Sequence, residues 1–196
     1  QTHTTSHVFP NTWIRGGGAY NQNDAGSRNI QHNISFANNT TGMKVFGVNG
    51  PVLNTAFIEN TFFYCGTLGV NGTGTGVGGR MEELLFVGTD NSVPENINID
   101  GNLLWNWDID TQGIGIVVQW QRPGKNFRVV NNEMYHGRSA FGGISTDGII
   151  LTNNTTFLSG GEFQYRDLRW STAHNPKNFV DHNQYYGWSK QNGVDG

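Results

Sequence analysis

The sequence predicts an all-β chain wound as a solenoid, a parallel β-helix of about six to seven coils filling residues 1–196 as one domain. Three observations carry that expectation. A short apolar run followed by Asn, two residues and an aromatic occurs six times, at Asn33–Phe36, Asn60–Phe63, Asn102–Trp105, Asn132–Tyr135, Asn154–Phe157 and Asn183–Tyr186. These stand 27, 42, 30, 22 and 29 residues apart, and recurrence at roughly 20–30 residues without strict identity marks a solenoid. Charged residues make up only 14% against roughly 25% in an average globular chain. Gly (28 residues), Asn, Thr and Ser fill the gap, a composition that favours turns and strands over helices. Finally, no window of about 12 residues carries the 3.6-residue helical period, and the Leu skeleton of leucine-rich repeats is missing.

The clearest unit begins at Lys125. Phe127, Val129 and Val130 form a β-rich run closed by Asn131-Asn132. Met134 and Tyr135 open a second short strand, Gly137 and Ser139 mark a turn, and a third strand runs over 141–146. Three short strands in about 22 residues make one coil of a parallel β-helix. The next unit repeats the scheme from Gly148 to Trp170.

The recurring Asn has physical uses. It tolerates left-handed dihedrals better than other non-Gly residues, so it is expected to take that conformation at the corner. Stacked on the Asn of the next coil, its amide can donate to one neighbour and accept from the other. The aromatic three positions on is expected to stack in the interior.

On Ser27–Phe36, Gly42–Gly47 and Phe57–Gly66 the chain resembles right-handed parallel β-helix proteins with the pectate-lyase-type fold, and the resemblance spans residues 12–190. Members of that superfamily are mostly secreted and act on polysaccharides as lyases, hydrolases, epimerases or phage tailspikes. The resemblance therefore implies an extracellular protein with a polysaccharide or other glycan as partner.

In that family the sheet that follows the Gly turn commonly floors the substrate groove. By position its strands here are 13–15, 42–46, 83–87, 115–120, 141–146 and 162–170. Alternation points Ile14, Met43, Val45, Ile116, Val118, Phe163 and Tyr165 inward. Trp13, Arg15, Lys44, Phe46, Gln119, Gln164 and Arg166 then point outward; of these all but Arg166, with Trp120 and Arg169, form the substrate-binding set. Such a mixture of cations, amides and aromatics suits a sugar chain, although a solvated sheet face would look the same.

The flanking turns hold the catalytic candidates Asp108, Asp110, His136 and Arg138, with Arg166 on the last strand. Asp108 and Asp110 could bind Ca²⁺, could serve as acid and base in glycoside hydrolysis, or could cap turns. His136 with Arg138 could be a base beside a carboxylate-binding cation, or surface decoration. Lyases of this kind use Arg or Lys near Ca²⁺ and hydrolases use clustered Asp. The chain has neither an Asp-Asp pair nor Gly-His-Gly.

Other features narrow the function. Net charge is −3 without a Lys or Arg run, so a nucleic-acid footprint is missing, and no stretch approaches about 18 apolar residues, so no membrane span is expected. The single Cys65 allows no internal disulfide and is expected to pack as a small core residue. Gly74–Gly79 fits a nucleotide-binding glycine pattern, but only a strand-length run, 81–87, follows it. The better reading is a long turn over 66–80. Asn96–Gly101 starts like a calcium loop but has Trp107 where Glu is required, and reads as a strand before an Asn corner. N-x-Ser/Thr sequons at Asn33, Asn38, Asn39, Asn71, Asn153 and Asn154 matter only where the source glycosylates.

Gln1 in place of Met reads as a processed or excised chain. Neither terminus reads as a cap, so end-to-end or homo-oligomeric contacts are expected through the ends. Two functions follow: a secreted carbohydrate-active or carbohydrate-binding β-helix, as a polysaccharide lyase or glycoside hydrolase if it is an enzyme, or a structural or adhesive module of a filament, tail fibre or surface protein.

Overall fold

A computed structural model describes residues 19–22, 26–36, 42–47, 50–63, 65, 82–87, 92–106, 114–119, 124–136, 139–143, 146–158, 165–166 and 179–187. Among these residues the secondary structure is entirely strand, with no helix. The strands follow one another in triplets. The first is β1 (Ala19–Gln22), β2 (Arg28–Gln31) and β3 (Ile34–Phe36). The second is β4 (Met43–Phe46), then β5 (Val52–Leu53) with β6 (Thr55–Ile58), then β7 (Thr61–Phe63). After these come β8 (Glu82–Val87), β9 (Pro94–Asp100) and β10 (Leu103–Asn106), and then β11 (Ile114–Gln119), β12 (Gly124–Val130) and β13 (Glu133–His136). The last two triplets are β14 (Ser139–Gly143), β15 (Thr146–Thr152) and β16 (Thr155–Leu158), and β17 (Tyr165–Arg166), β18 (Phe179–Asp181) and β19 (Gln184–Gly187).

Each position in the triplet builds its own sheet. The first sheet is β1-β4-β8-β11-β14-β17, the middle one β2-β6-β9-β12-β15-β18 with β5 beside β9, and the last β3-β7-β10-β13-β16-β19. Every pairing is parallel. A strand therefore finds its partners one triplet earlier and one triplet later, which is why the sequence repeats.

The first-sheet strands 43–46, 82–87, 114–119, 139–143 and 165–166 match the segments expected for the groove-floor sheet within a few residues. Among the described residues that sheet starts at β1, 19–22, whereas 13–15 had been expected to start it. Residues 13–15 lie outside the described residues.

Alternation along the strands fills the core. Met43 and Val45 point inward as expected, and Leu84 and Phe86 align with them across the pair. Ile116 and Val118 share the next register positions. The middle sheet contributes Phe57, Ile97, Ile99, Phe127, Val129, Ile149 and Leu151, and the last sheet Phe62, Leu104 and Met134. Phe86 locks two sheets together by meeting Phe57 and Phe127 edge to face, with centroids 5.5 and 5.2 Å apart. That geometry places ring edges on ring faces, the favourable quadrupole arrangement. Cys65 is fully buried, as its apolar setting predicts.

The corner between the middle and last sheets corrects one expectation. The left-handed residue is the one before the recurring Asn, not that Asn: His32, Glu59, Gly101, Asn131, Asn153 and His182 have φ from 50° to 66°. A second left-handed bend crosses the middle sheet at Asn54, Asn96, Asn126 and Gly148. There Asn126 donates to Asn96 and Asn96 to Asn54, both at 3.0 Å.

The recurring Asn is instead a buried hydrogen-bonding post. From Asn60 onward each Oδ1 accepts two bonds from the preceding Asn, one from its backbone N–H and one from its Nδ2. At Asn102 these run from Asn60 at 2.9 and 3.0 Å, and Asn102 makes the same pair to Asn132. The chain of bonds continues from Asn33 to Asn183. Spare Nδ2 capacity reaches backbone carbonyls, for example Phe57 from Asn102 and Ile99 from Asn132. Asn60, Asn102, Asn132 and Asn154 are buried and fully partnered, the condition under which a polar column inside a core is tolerated.

Candidate functional site

The last sheet carries the most regular exposed surface among the described residues. Each of its strands starts from a ladder Asn, buried in the four inner strands, and the strand's two-residue period then fixes every side chain's direction. Position Asn+2 faces inward, as Phe62, Leu104, Met134 and Thr156 do. Positions Asn+1 and Asn+3 face outward. The aromatics expected in the interior are therefore on the outside, because they share parity with Glu133 and Gln184, which are exposed.

Two outward rows result. One is Ile34, Thr61, Leu103, Glu133, Thr155 and Gln184; the other is Phe36, Phe63, Trp105, Tyr135, Phe157 and Tyr186. Strict register puts each aromatic directly opposite the next. Phe36 and Phe63 stack at 5.1 Å, Trp105 and Tyr135 at 4.6 Å, Tyr135 and Phe157 at 4.4 Å, and Phe157 and Tyr186 at 4.8 Å. The faces of these rings lie on each other, so their edges meet solvent. Phe36 is 58% exposed and Tyr186 48%, and the rings between them are half-buried. Five strand intervals of about 4.8 Å make the column about 24 Å long.

The rows differ along their length. Around β3, β7 and β10 the surface is mostly apolar, with Ile34 69% exposed. A depression of about 180 Å³ opens there between Thr61, Phe63, Leu103 and Trp105, somewhat larger than the about 150 Å³ that holds a benzene ring. Around β13 and β19 hydrogen-bonding groups join the rings. The Tyr135 hydroxyl donates to the Glu133 carboxylate, and the Tyr186 hydroxyl to Gln184 Oε1 at 3.3 Å. The bond to Glu133, then burial, then the carboxylate's charge push the Tyr135 pKa up from 10.0 to about 12.

On the first sheet's outer face, Lys44 and Phe46 are both half-buried, and the Lys44 ammonium sits over the Phe46 ring, 4.5 Å from its centroid. This is a cation–π contact between two residues expected to bind substrate. Gln119, His136 and Arg166 have their backbones in β11, β13 and β17, while their side chains lie outside the described residues. Trp13, Arg15, Asp108, Asp110, Trp120, Arg138, Gln164, Arg169 and the turn over 66–80 lie outside them altogether. Among the described residues no three His, Cys, Asp or Glu side chains gather where a metal ion could be held. The middle sheet's outer face shows paired charges: Arg128 bonds Asp100 and Asn98, both at 2.8 Å. Exposed pairs of this kind contribute about 0–1 kcal/mol.

The aromatic row was legible as a repeat but not as a surface. The signal lies in the polar members of the Asn+1 row, Glu133 and Gln184 above all, which fix the parity of Asn+3. Among the described residues no helix is long and apolar enough to cross a membrane. No family model, curated protein or solved structure matches the chain. The expected kinship with pectate-lyase-type proteins thus has the parallel, all-strand topology behind it and no relative.

Proposed function

We propose that the chain is a right-handed parallel β-helix of the pectate-lyase-like kind, acting outside the cell by binding an extended polysaccharide. The sheet topology supports the fold, since each sheet takes one strand from every triplet. The observation that carries the function is the pair of outward rows on the last sheet. A surface that repeats by translation at about 4.8 Å matches a ligand that itself repeats along a line. Ring edges and aliphatic groups can meet the C–H surface of sugars, and Thr, Gln, Glu and Tyr oxygens can meet hydroxyls.

The first sheet supplies the second contact face in this proposal, through Lys44 and Phe46 together with Trp13, Arg15, Gln119, Trp120, Gln164 and Arg169. Any lyase or hydrolase step belongs to Asp108, Asp110, His136, Arg138 and Arg166. A glycan array probed with the intact protein tests the binding, and an absorbance assay for unsaturated uronate products with a reducing-sugar assay for hydrolysis tests the chemistry. Retention of at least one polysaccharide is the expected result. If the array and both assays stay blank, the proposal fails.

One observation favours a second reading, a structural or adhesive shaft. The Asn ladder links six strands by side-chain bonds that serve stiffness and not ligand. Sizing separates the two: ordered association of the protein without glycan supports the shaft, whereas a stable monomer that binds glycan supports the first reading.

A further inference from the structure

The two rows on the last sheet also say which kind of polysaccharide fits. This rests on the glycan-binding proposal and deepens it. The rows are two residues apart along each strand, either side of an inward position, so their side chains emerge about 7 Å apart on a stripe about 24 Å long. Such a stripe offers a few hundred Å² at most, well under the about 800 Å² per partner of a stable protein interface. A single extended polymer matches its width.

Charge decides the polymer. Across both rows there is one carboxylate, Glu133, and no Lys, Arg or His. Glu133 is exposed and is held in place by the Tyr135 hydroxyl. Its remaining lone pairs can accept from sugar hydroxyls, and bonds to an ionised acceptor are the stronger ones. A polyuronate would instead drag a series of carboxylates past Glu133 with no cation on the stripe to offset them. The apolar depression at Thr61, Phe63, Leu103 and Trp105 likewise suits an uncharged ring. We infer that this face selects a neutral, extended polysaccharide and rejects polyuronates, with Glu133 as the discriminating residue.

Affinity electrophoresis of the intact protein tests this, using gels cast with a β-glucan, a β-mannan or a xylan, and with polygalacturonate or alginate, at low salt. Retardation in at least one neutral gel, roughly tenfold stronger than in any polyuronate gel, is the expected result. Glu133→Gln should narrow that preference, while Glu95→Gln, a carboxylate removed from the middle sheet, should leave it unchanged. Circular dichroism of each variant checks that it is folded. Polyuronate retention equal to or stronger than neutral retention overturns the selectivity and leaves glycan binding standing. An unchanged preference in Glu133→Gln removes Glu133 from the role. Retardation in no gel overturns the inference and the underlying function together.

Discussion

Asn102 and Trp105 sit three residues apart in the same triplet, and each is one rung of a six-membered column running through the last sheet or its edge. The columns share period, register and strand spacing. Water separates them: Asn102 is 1% exposed, and Trp105 faces outward in a row whose end members are half open to solvent. In the dry middle of the first column the Asn102 amide is consumed by its ladder neighbours and by backbone carbonyls. In the wet column the rings spend their faces on one another and keep their edges for something else. The same repeat thus builds an internal post and an external stripe, and only the stripe can meet a ligand.

The largest expected effect comes from breaking the post. Asn102→Ala leaves the Asn60 N–H and the Phe57 carbonyl without their partners, and it breaks the side-chain link to Asn132. At about 1–3 kcal/mol for each stranded buried group, the loss should reach about 3–5 kcal/mol, read as a lower urea midpoint. Trp105→Ala breaks the stripe instead. It gives up a stacked pair worth about 0.5–1.5 kcal/mol plus some apolar contact, so about 1–2 kcal/mol is expected. If the two losses were equal, the distinction between post and stripe would collapse.

Smaller changes sharpen it. Glu59 holds φ at 50° next to the ladder, a conformation that suits Asn better than Glu. Glu59→Asn should raise stability by about 0.5 kcal/mol, and a loss would mean that its exposed contact with His32 matters more than its backbone. The smallest effect at neutral pH belongs to Tyr135. With its pKa raised to about 12, its contribution to stability is fully present below about pH 10, the ordinary tyrosine value, and is lost as pH rises through 12. Tyrosinate absorbance should show one late-titrating group, and Glu133→Gln should bring it back towards the ordinary range. A late group that persists in that variant would assign the shift to another cause.

Much of the parallel-sheet architecture was legible in the sequence. The Asn repeat located every corner of the last sheet, and the Asn-to-Asn bonds follow from stacking an amide on itself once per strand triplet. Inward Met43 and Val45 followed from strand alternation. Two physical points escaped. The corner's left-handed residue precedes the ladder Asn, because an Asn whose amide is bonded on both sides is fixed by those bonds and the neighbouring residue takes the turn. The aromatics were placed inside on hydrophobicity alone, although Glu133 and Gln184 two residues earlier set their parity outward. Of the residues expected to bind substrate, Lys44 and Phe46 lie together on one face, as alternation along their shared strand β4 requires of residues two apart.

The most direct test measures glycan retention and unfolding free energy together for the wild type, Asn102→Ala and Trp105→Ala. If the stripe meets the ligand and the post does not, Trp105→Ala loses most of its retention while staying folded, and Asn102→Ala loses several kcal/mol of stability yet retains glycan as well as the wild type whenever it is folded. Retention untouched by Trp105→Ala, or lost in step with stability in both variants, would contradict it.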